Sequence, residues 1–173
     1  MRTYLTIFFG ITLIFISCEK NEYSNKNDLS ILVSLKGENG LPYKKSLNKW
    51  ADLKKLNGNS YKYQTTFLSW TGFGNTTELK IVDGKVIARI YHEFCTDNKT
   101  GKRILIDSYT ENENSIGNHE KGASPLTIDE LYNSCAANYL IVDDKKNTVY
   151  FETSVNGLMT LCGFVPDGGA DEC

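Results

Sequence analysis

Histidine is nearly absent from this chain: its 173 residues include two, His92 and His119. A site needing several imidazoles is therefore excluded. The stretch "HEFCT" (92–96) opens like the two-histidine zinc signature but ends in threonine, and its pattern is that of a strand, where residues four apart do not converge. No Cys-x-x-Cys occurs, which removes the dithiol redox motif and the zinc ribbon. No Gly-x-Ser-x-Gly elbow occurs. "GFGNTT" (72–77) lacks the third glycine of a dinucleotide loop and lies between strand patterns. "DNKTGKRILID" (97–107) lacks the alternating oxygen ligands of a calcium loop. Aspartates and glutamates cluster in turns and in the tail, where Asp167, Asp171 and Glu172 read as solvated charge. No catalytic residue, metal ligand or cofactor is assigned.

An excess of positive charge is also missing. Lys and Arg total 19 against 21 Asp and Glu, no footprint for nucleic acid. Long apolar runs are missing too. The longest charge-free apolar stretch, "YLTIFFGITLIFIS" (4–17), is 14 residues, short of the ~20 needed to cross a hydrocarbon core.

What that stretch does is set by its flanks. Arg2 precedes it, and Phe15-Ile16-Ser17-Cys18 closes it. A charged start and a short apolar run make a signal peptide. The bulky pair, the small Ser17 and then Cys18 resemble the bacterial lipobox. That likeness implies cleavage before Cys18 and lipid on its sulfur. One chain holds a protein to a bilayer only marginally, while two or three anchor it stably. The expected protein is therefore tied to a membrane through Cys18 without spanning it. Glu19, not Asp, follows the cysteine, which favours the outer membrane, on its periplasmic face or at the cell surface.

The expected organisation is a signal peptide over 1–17, a lipidated tether over 18–28 and one domain over 29–173. Residues 18–28 ("CEKNEYSNKND") are nearly free of apolar side chains; ten flexible links span about 18 Å. Removing residues 1–17 leaves 156 residues with 18 basic and 21 acidic side chains. Four cysteines then remain as disulfide candidates: Cys95, Cys135, Cys162 and Cys173. An oxidising compartment makes two bridges the expectation, with three connectivities open. The favoured pairing is Cys162 with Cys173 and Cys95 with Cys135, contributing about 3 and 4 kcal/mol; free buried thiols are the alternative.

Periodicity gives the elements. "LSILVSL" (29–35) is a short strand or a helix. Tyr43, Leu47, Trp50 and Leu53 recur at helical spacing between Pro42 and Gly58. From Ser60 the period becomes two, with Tyr61, Tyr63, Thr65 and Phe67 on one face. Asp83-Gly84 supplies a type I′ turn between two β-rich runs. A turn at 98–101 and a strand at 102–109 complete a meander. Residues 110–125 form a long polar loop. Thr127 with Glu130 is a capping box that starts a helix carrying Ile128, Leu131, Tyr132, Cys135 and Ala136 on one face. Strands "YLIV" (139–142), "TVYFETSV" (148–155) and "LMTLCGFV" (158–165) follow. The expected fold class is α+β: an antiparallel meander sheet with two helices packed on one face.

The Trp50 helix, the "YKYQ" strand with Tyr61 and Tyr63, the hairpin Val82-Asp83-Gly84-Lys85-Val86 and the "TIDEL" start with Thr127, Asp129, Glu130 and Leu131 carry a resemblance. Over roughly 45–165 the chain resembles a family of bacterial lipoproteins of unknown function, and the Asn- and Lys-rich text after Cys18 looks like lipoproteins of Bacteroidota. The resemblance implies fold and address; the family has no assigned catalytic residues.

Two surface candidates stand out. Trp70 falls on the face opposite the tyrosines, and Phe73 sits between two glycines. Such rings anchor protein interfaces or stack on sugars. The expected function is a lipid-anchored binding, accessory or inhibitor domain with an envelope protein or glycan partner. The rival is an envelope hydrolase using His92 or His119. The two differ in one observable: whether a histidine, a carboxylate and a hydroxyl converge in a cleft.

Overall fold

The structure is a computed structural model that describes Leu35, residues 37–97 and residues 99–168. The expected signal peptide, Cys18, the tether, residues 29–34 of the first apolar run and Cys173 lie outside the described residues.

The elements run β1 (Gly37–Asn39), α1 (Tyr43–Asn57), β2 (Tyr61–Leu68), β3 (Phe73–Val82), β4 (Lys85–Thr96), β5 (Arg103–Asn112), α2 (Ile128–Ser134), β6 (Asn147–Thr153) and β7 (Met159–Pro166). The strands form two sheets, not the single meander expected from the sequence. One is the antiparallel meander β2-β3-β4-β5; the other has order β1-β6-β7 with β1 parallel to β6. A parallel partner distant in sequence leaves no local turn signal, so this division was not visible in the text.

The main core lies between the helices and the three-stranded sheet. Trp50 and Tyr43 from α1, Tyr132 from α2, and Val149 and Phe151 from β6 are buried together. Fully burying one such side chain contributes roughly 1.5–3 kcal/mol. Tyr43 meets Tyr132 and Phe151 edge-on at 5.9 and 5.6 Å. The polar tips are satisfied in series. Met159 N–H donates to the Tyr132 hydroxyl (2.9 Å), that hydroxyl lies 2.6 Å from Ser46 Oγ, and Ser46 donates to the Gly157 carbonyl (2.7 Å). Buried hydroxyls without such partners would oppose folding.

The helices begin and end as their sequences specify. Gly58, at φ 79°, closes α1. Thr127 caps α2: its Oγ1 accepts from Glu130 N, and Glu130 Oε2 accepts from Thr127 N. The expected strand at 139–142 is absent. The chain instead continues from α2 as a π-helical turn, Cys135–Tyr139, closed by Leu140 N–H to Cys135 O. Leu140 joins the core cluster there, while Tyr139 and Ile141 are exposed, so the run turns a corner and needs no strand partner.

Cys135 bonds Cys162, with Cα atoms 5.8 Å apart, while Cys95 is a free thiol. The favoured pairing is therefore corrected. Cys135 faces the helix-covered sheet, where β7 presents Cys162; Cys95 belongs to the other sheet.

The helices reach the meander at Tyr61, which meets Trp50 at 4.8 Å and accepts from Ile128 N. The middle of that meander face is crossed by residues 113–126, which contain no helix or strand. This polar strap, with the helices on the other sheet, replaces the expected layer of two helices on one meander.

Candidate functional site

Two features of the meander carry chemistry: the charged cluster under the strap and the apolar end of the sheet. Register builds the first. Arg89 on β4 stands opposite Glu111 on β5, then Tyr91 opposite Tyr109, then Glu93 opposite Asp107. All six alternate onto one face. Arg89 and Glu111 are buried, at 2% and 0% exposure. Their ion pair spans 3.3 Å.

The strap closes over them. Glu111 accepts from Gly117 N (2.9 Å), His119 N (2.8 Å) and the His119 ring through Nδ1 (3.0 Å). Arg89 donates to the carbonyls of His119 (3.0 Å) and Lys121. The His119 ring stacks on Tyr109 at 4.0 Å, and Tyr109 stacks on Tyr91 at 5.0 Å. Burial alone would raise the Glu111 pKa. The strap amides, His119 and Arg89 outweigh it and hold the carboxyl at about 2.

Further along, the facing carboxylates Glu93 and Asp107 would repel. Lys121 Nζ bridges them at 2.8 and 2.9 Å. Donating to Glu93 and to Asp107 raises the Lys121 pKa, and the same lysine lowers that of Asp107. Ala123 N donates to Thr77 Oγ1 at 3.0 Å. Gly122 takes φ 83°, and a Cβ there would meet the Tyr91 ring at 2.6 Å. Only glycine combines this backbone with that approach.

The histidines are thereby separated. His119 has a buried carboxylate partner; His92 is exposed on the opposite face, between Thr76 and Ser108. A carboxylate on Nδ1 orients an imidazole as in a nucleophile–base–acid relay. Among the described residues no serine, threonine or cysteine side chain hydrogen-bonds to the His119 ring. Tyr109, the nearest hydroxyl bearer, donates instead to Lys121 O. Among the described residues, no group of three or more His, Cys, Asp or Glu is placed to hold a metal. A hollow of about 800 Å3 opens between α1 and the 153–158 turn, and one of about 290 Å3 lies between Phe67 and the strap at Gly122; neither is lined by His119.

The second feature is the end of the meander where β2 turns into β3 and β4 into β5. The two turns are joined by Thr96 N–H to Gly72 O, 2.8 Å. Trp70 sits in the first turn, past the strand end, and is 97% exposed. Strand parity therefore assigns it no face, contrary to the expectation that it opposes the tyrosines. Phe73 is 51% exposed at the start of β3.

Neighbours that sequence reasoning did not single out join them. The rows Leu68–Gly74–Phe94–Leu105 and Phe73–Cys95–Ile104 run across the sheet in register. Leu68, Ile104, Leu105 and Ile106 are each more than half exposed, as is Phe67, which shares the strand face of Tyr61 and Tyr63. The strap ends short of Phe67; Tyr63, by contrast, donates to Leu126 O. Phe94 alone is covered. It lies across Gly74, where a Cβ would meet its ring at 2.8 Å, and Arg103 sits 4.3 Å above it.

Compared with known proteins, the chain matches no family model, no curated protein and no solved structure. Among the described residues no helix is long and apolar enough to cross a membrane.

Proposed function

We propose that this chain is a lipid-anchored envelope lipoprotein, held at the outer membrane through Cys18, whose folded domain works by binding and not by catalysis. The observation that carries the binding reading is the uncovered meander end, where Trp70 is 97% exposed among six other exposed large apolar side chains. A monomer gains nothing from such a surface, and clusters of this kind mark interaction sites. The anchor reading is supported by the lipobox-like Phe15-Ile16-Ser17-Cys18.

The hydrolase reading has one specific observation in its favour, the His119–Glu111 pair. Both partners are explained without catalysis, because Glu111 gathers the strap amides and Arg89. His119→Ala abolishing hydrolysis of an envelope ester or glycan by purified protein would establish that rival.

The binding reading is tested by placing a photo-crosslinking amino acid at position 70 in cells. Capture of a defined species, absent when the probe sits at exposed Lys80, supports it. Identical labelling from both positions refutes it. Incorporation of labelled fatty acid, lost in Cys18→Ala, tests the anchor separately.

A further inference from the structure

We infer that the meander end is a membrane-docking wedge, and that its occupant is the surface of an anionic lipid bilayer. The inference rests on the binding reading above and names the partner.

Three observations carry it. First, the end is apolar on both faces as well as in its turn. Register places Leu68 and Leu105 on one face, Phe67, Phe73 and Ile104 on the other, and Trp70 beyond both. A flat protein surface can cover one face of a sheet at a time. A medium that surrounds the end can cover all of them, and the boundary between headgroups and acyl chains is such a medium. Tryptophan suits it, since its ring sits at headgroup level with its N–H still wet.

Second, charge at this end complements an anionic surface. Between β4 and the start of β5, Lys99, Lys102 and Arg103 are all exposed, against Asp97 in the turn; Glu93 and Asp107, in the row of Phe67, are bridged by Lys121. Asp97 is turned inward, accepting from Lys99 N (2.9 Å), Thr100 N (2.7 Å) and Thr100 Oγ1 (3.0 Å). The chain as a whole has net charge −2, so this is a local concentration of positive charge. Cations flanking an apolar insertion are the pattern of interfacial anchors.

Third, the length of chain ahead of the described residues permits contact. From Cys18 to Leu35 there are 16 intervening residues, at most ~60 Å of chain even when fully extended. A domain held that close to a bilayer encounters it continually.

The test uses the chain from Glu19 onward. It retains every described helix and strand and the disulfide, and lacks both the apolar leader and the acceptor cysteine. It is mixed with vesicles of 30 mol% phosphatidylglycerol in phosphatidylcholine, and with phosphatidylcholine alone. Sedimentation and tryptophan emission are read together. Trp50 is buried in the core and already shielded, so any blue shift on binding reports Trp70. The expected result is binding to the anionic vesicles with a blue shift, weakened by salt. Trp70→Ala lowers partitioning at least ~10-fold and removes the shift. K99Q/K102Q lowers it about 30-fold, from a factor of roughly five per basic residue. These three side chains are exposed, so loss of folding is not a competing explanation; unchanged Trp50 emission confirms it.

Absence of binding to either vesicle overturns the inference. So does binding that Trp70→Ala leaves intact, or concentration-dependent self-association that Trp70→Ala abolishes. A photo-crosslink from position 70 to protein alone also overturns the lipid assignment while leaving the binding reading standing.

Discussion

Replacing Glu111 by Gln tests the reasoning about the strap most severely. The carboxylate collects two strap amides, the His119 ring and the Arg89 guanidinium. Its pKa falls from 4.5 to about 2. That difference corresponds to about 3 kcal/mol in favour of the charged, folded form. The sign follows from the direction: the contribution is complete above about pH 4.5 and is lost as pH falls toward 2. Glutamine also leaves Arg89 buried without a counter-charge, a change that typically costs 3–5 kcal/mol. Against a total stability of 5–15 kcal/mol for a domain this size, E111Q should lower the urea midpoint sharply at pH 7. Hydrogen exchange at the Gly117 and His119 amides should accelerate more than exchange in α1. The wild-type chain should lose stability between pH 4.5 and 2 more steeply than E111Q does. Removing both charges as R89L/E111L should cost less than E111Q, since no orphaned ion remains. A loss below 0.5 kcal/mol in E111Q, or parallel acid profiles, would show that the cluster does not hold the strap.

Removing the disulfide by C135A/C162A should cost about 3.5 kcal/mol by the loop-entropy relation, read as a lower thermal midpoint under oxidising conditions and none under reduction beyond the wild-type shift. Gly122→Ala should destabilise by 1–3 kcal/mol, through both its positive φ and the Tyr91 ring, with strap proteolysis as the readout. Thr127→Ala removes the cap of α2 and should cost about 1 kcal/mol in denaturant unfolding. Gly74→Val should meet the Phe67 carbonyl and displace the Phe94 ring, destabilising by about 1–3 kcal/mol; unchanged stability would mean that neither lies against Gly74.

Local signals and tertiary outcomes parted at identifiable residues. Thr127 and Glu130 announced a helix start because a capping box involves only neighbours. Asp83-Gly84 announced its turn, and the structure has φ 50° and 79° there, for the same reason. Trp70 and Phe73 were picked out by residue type, but Leu68, Ile104, Leu105 and Ile106 were not, since period-two text makes alternate residues look internal whatever covers the sheet. Arg89 did leave a trace: it shares strand parity with Tyr91, so a charge on an inward face was legible. Glu111 did not, because residues 110–125 read as loop, whereas β5 runs on to Asn112. Their opposite signs across a strand pair were not legible either, because register depends on the turn and on the bulge beside Phe94.

The sequence by itself determined most of the local grammar: the two helix starts, the β2–β5 strand text apart from the last residues of β5, the Asp83-Gly84 turn, and that few histidines and no paired-cysteine motif leave little room for metal or redox chemistry; it misassigned the 139–142 run. Those features depend on residues within a few positions of each other, and such contacts form the same way in any fold. Only the tertiary structure decided that the strands divide into two sheets, that Cys135 meets Cys162, and that a polar loop crosses the meander to bury an arginine against a glutamate. It also decided which apolar side chains stay uncovered. Burial is a property of what packs on a surface, and the contacts that decide it here join residues as far as 32 and 112 positions apart.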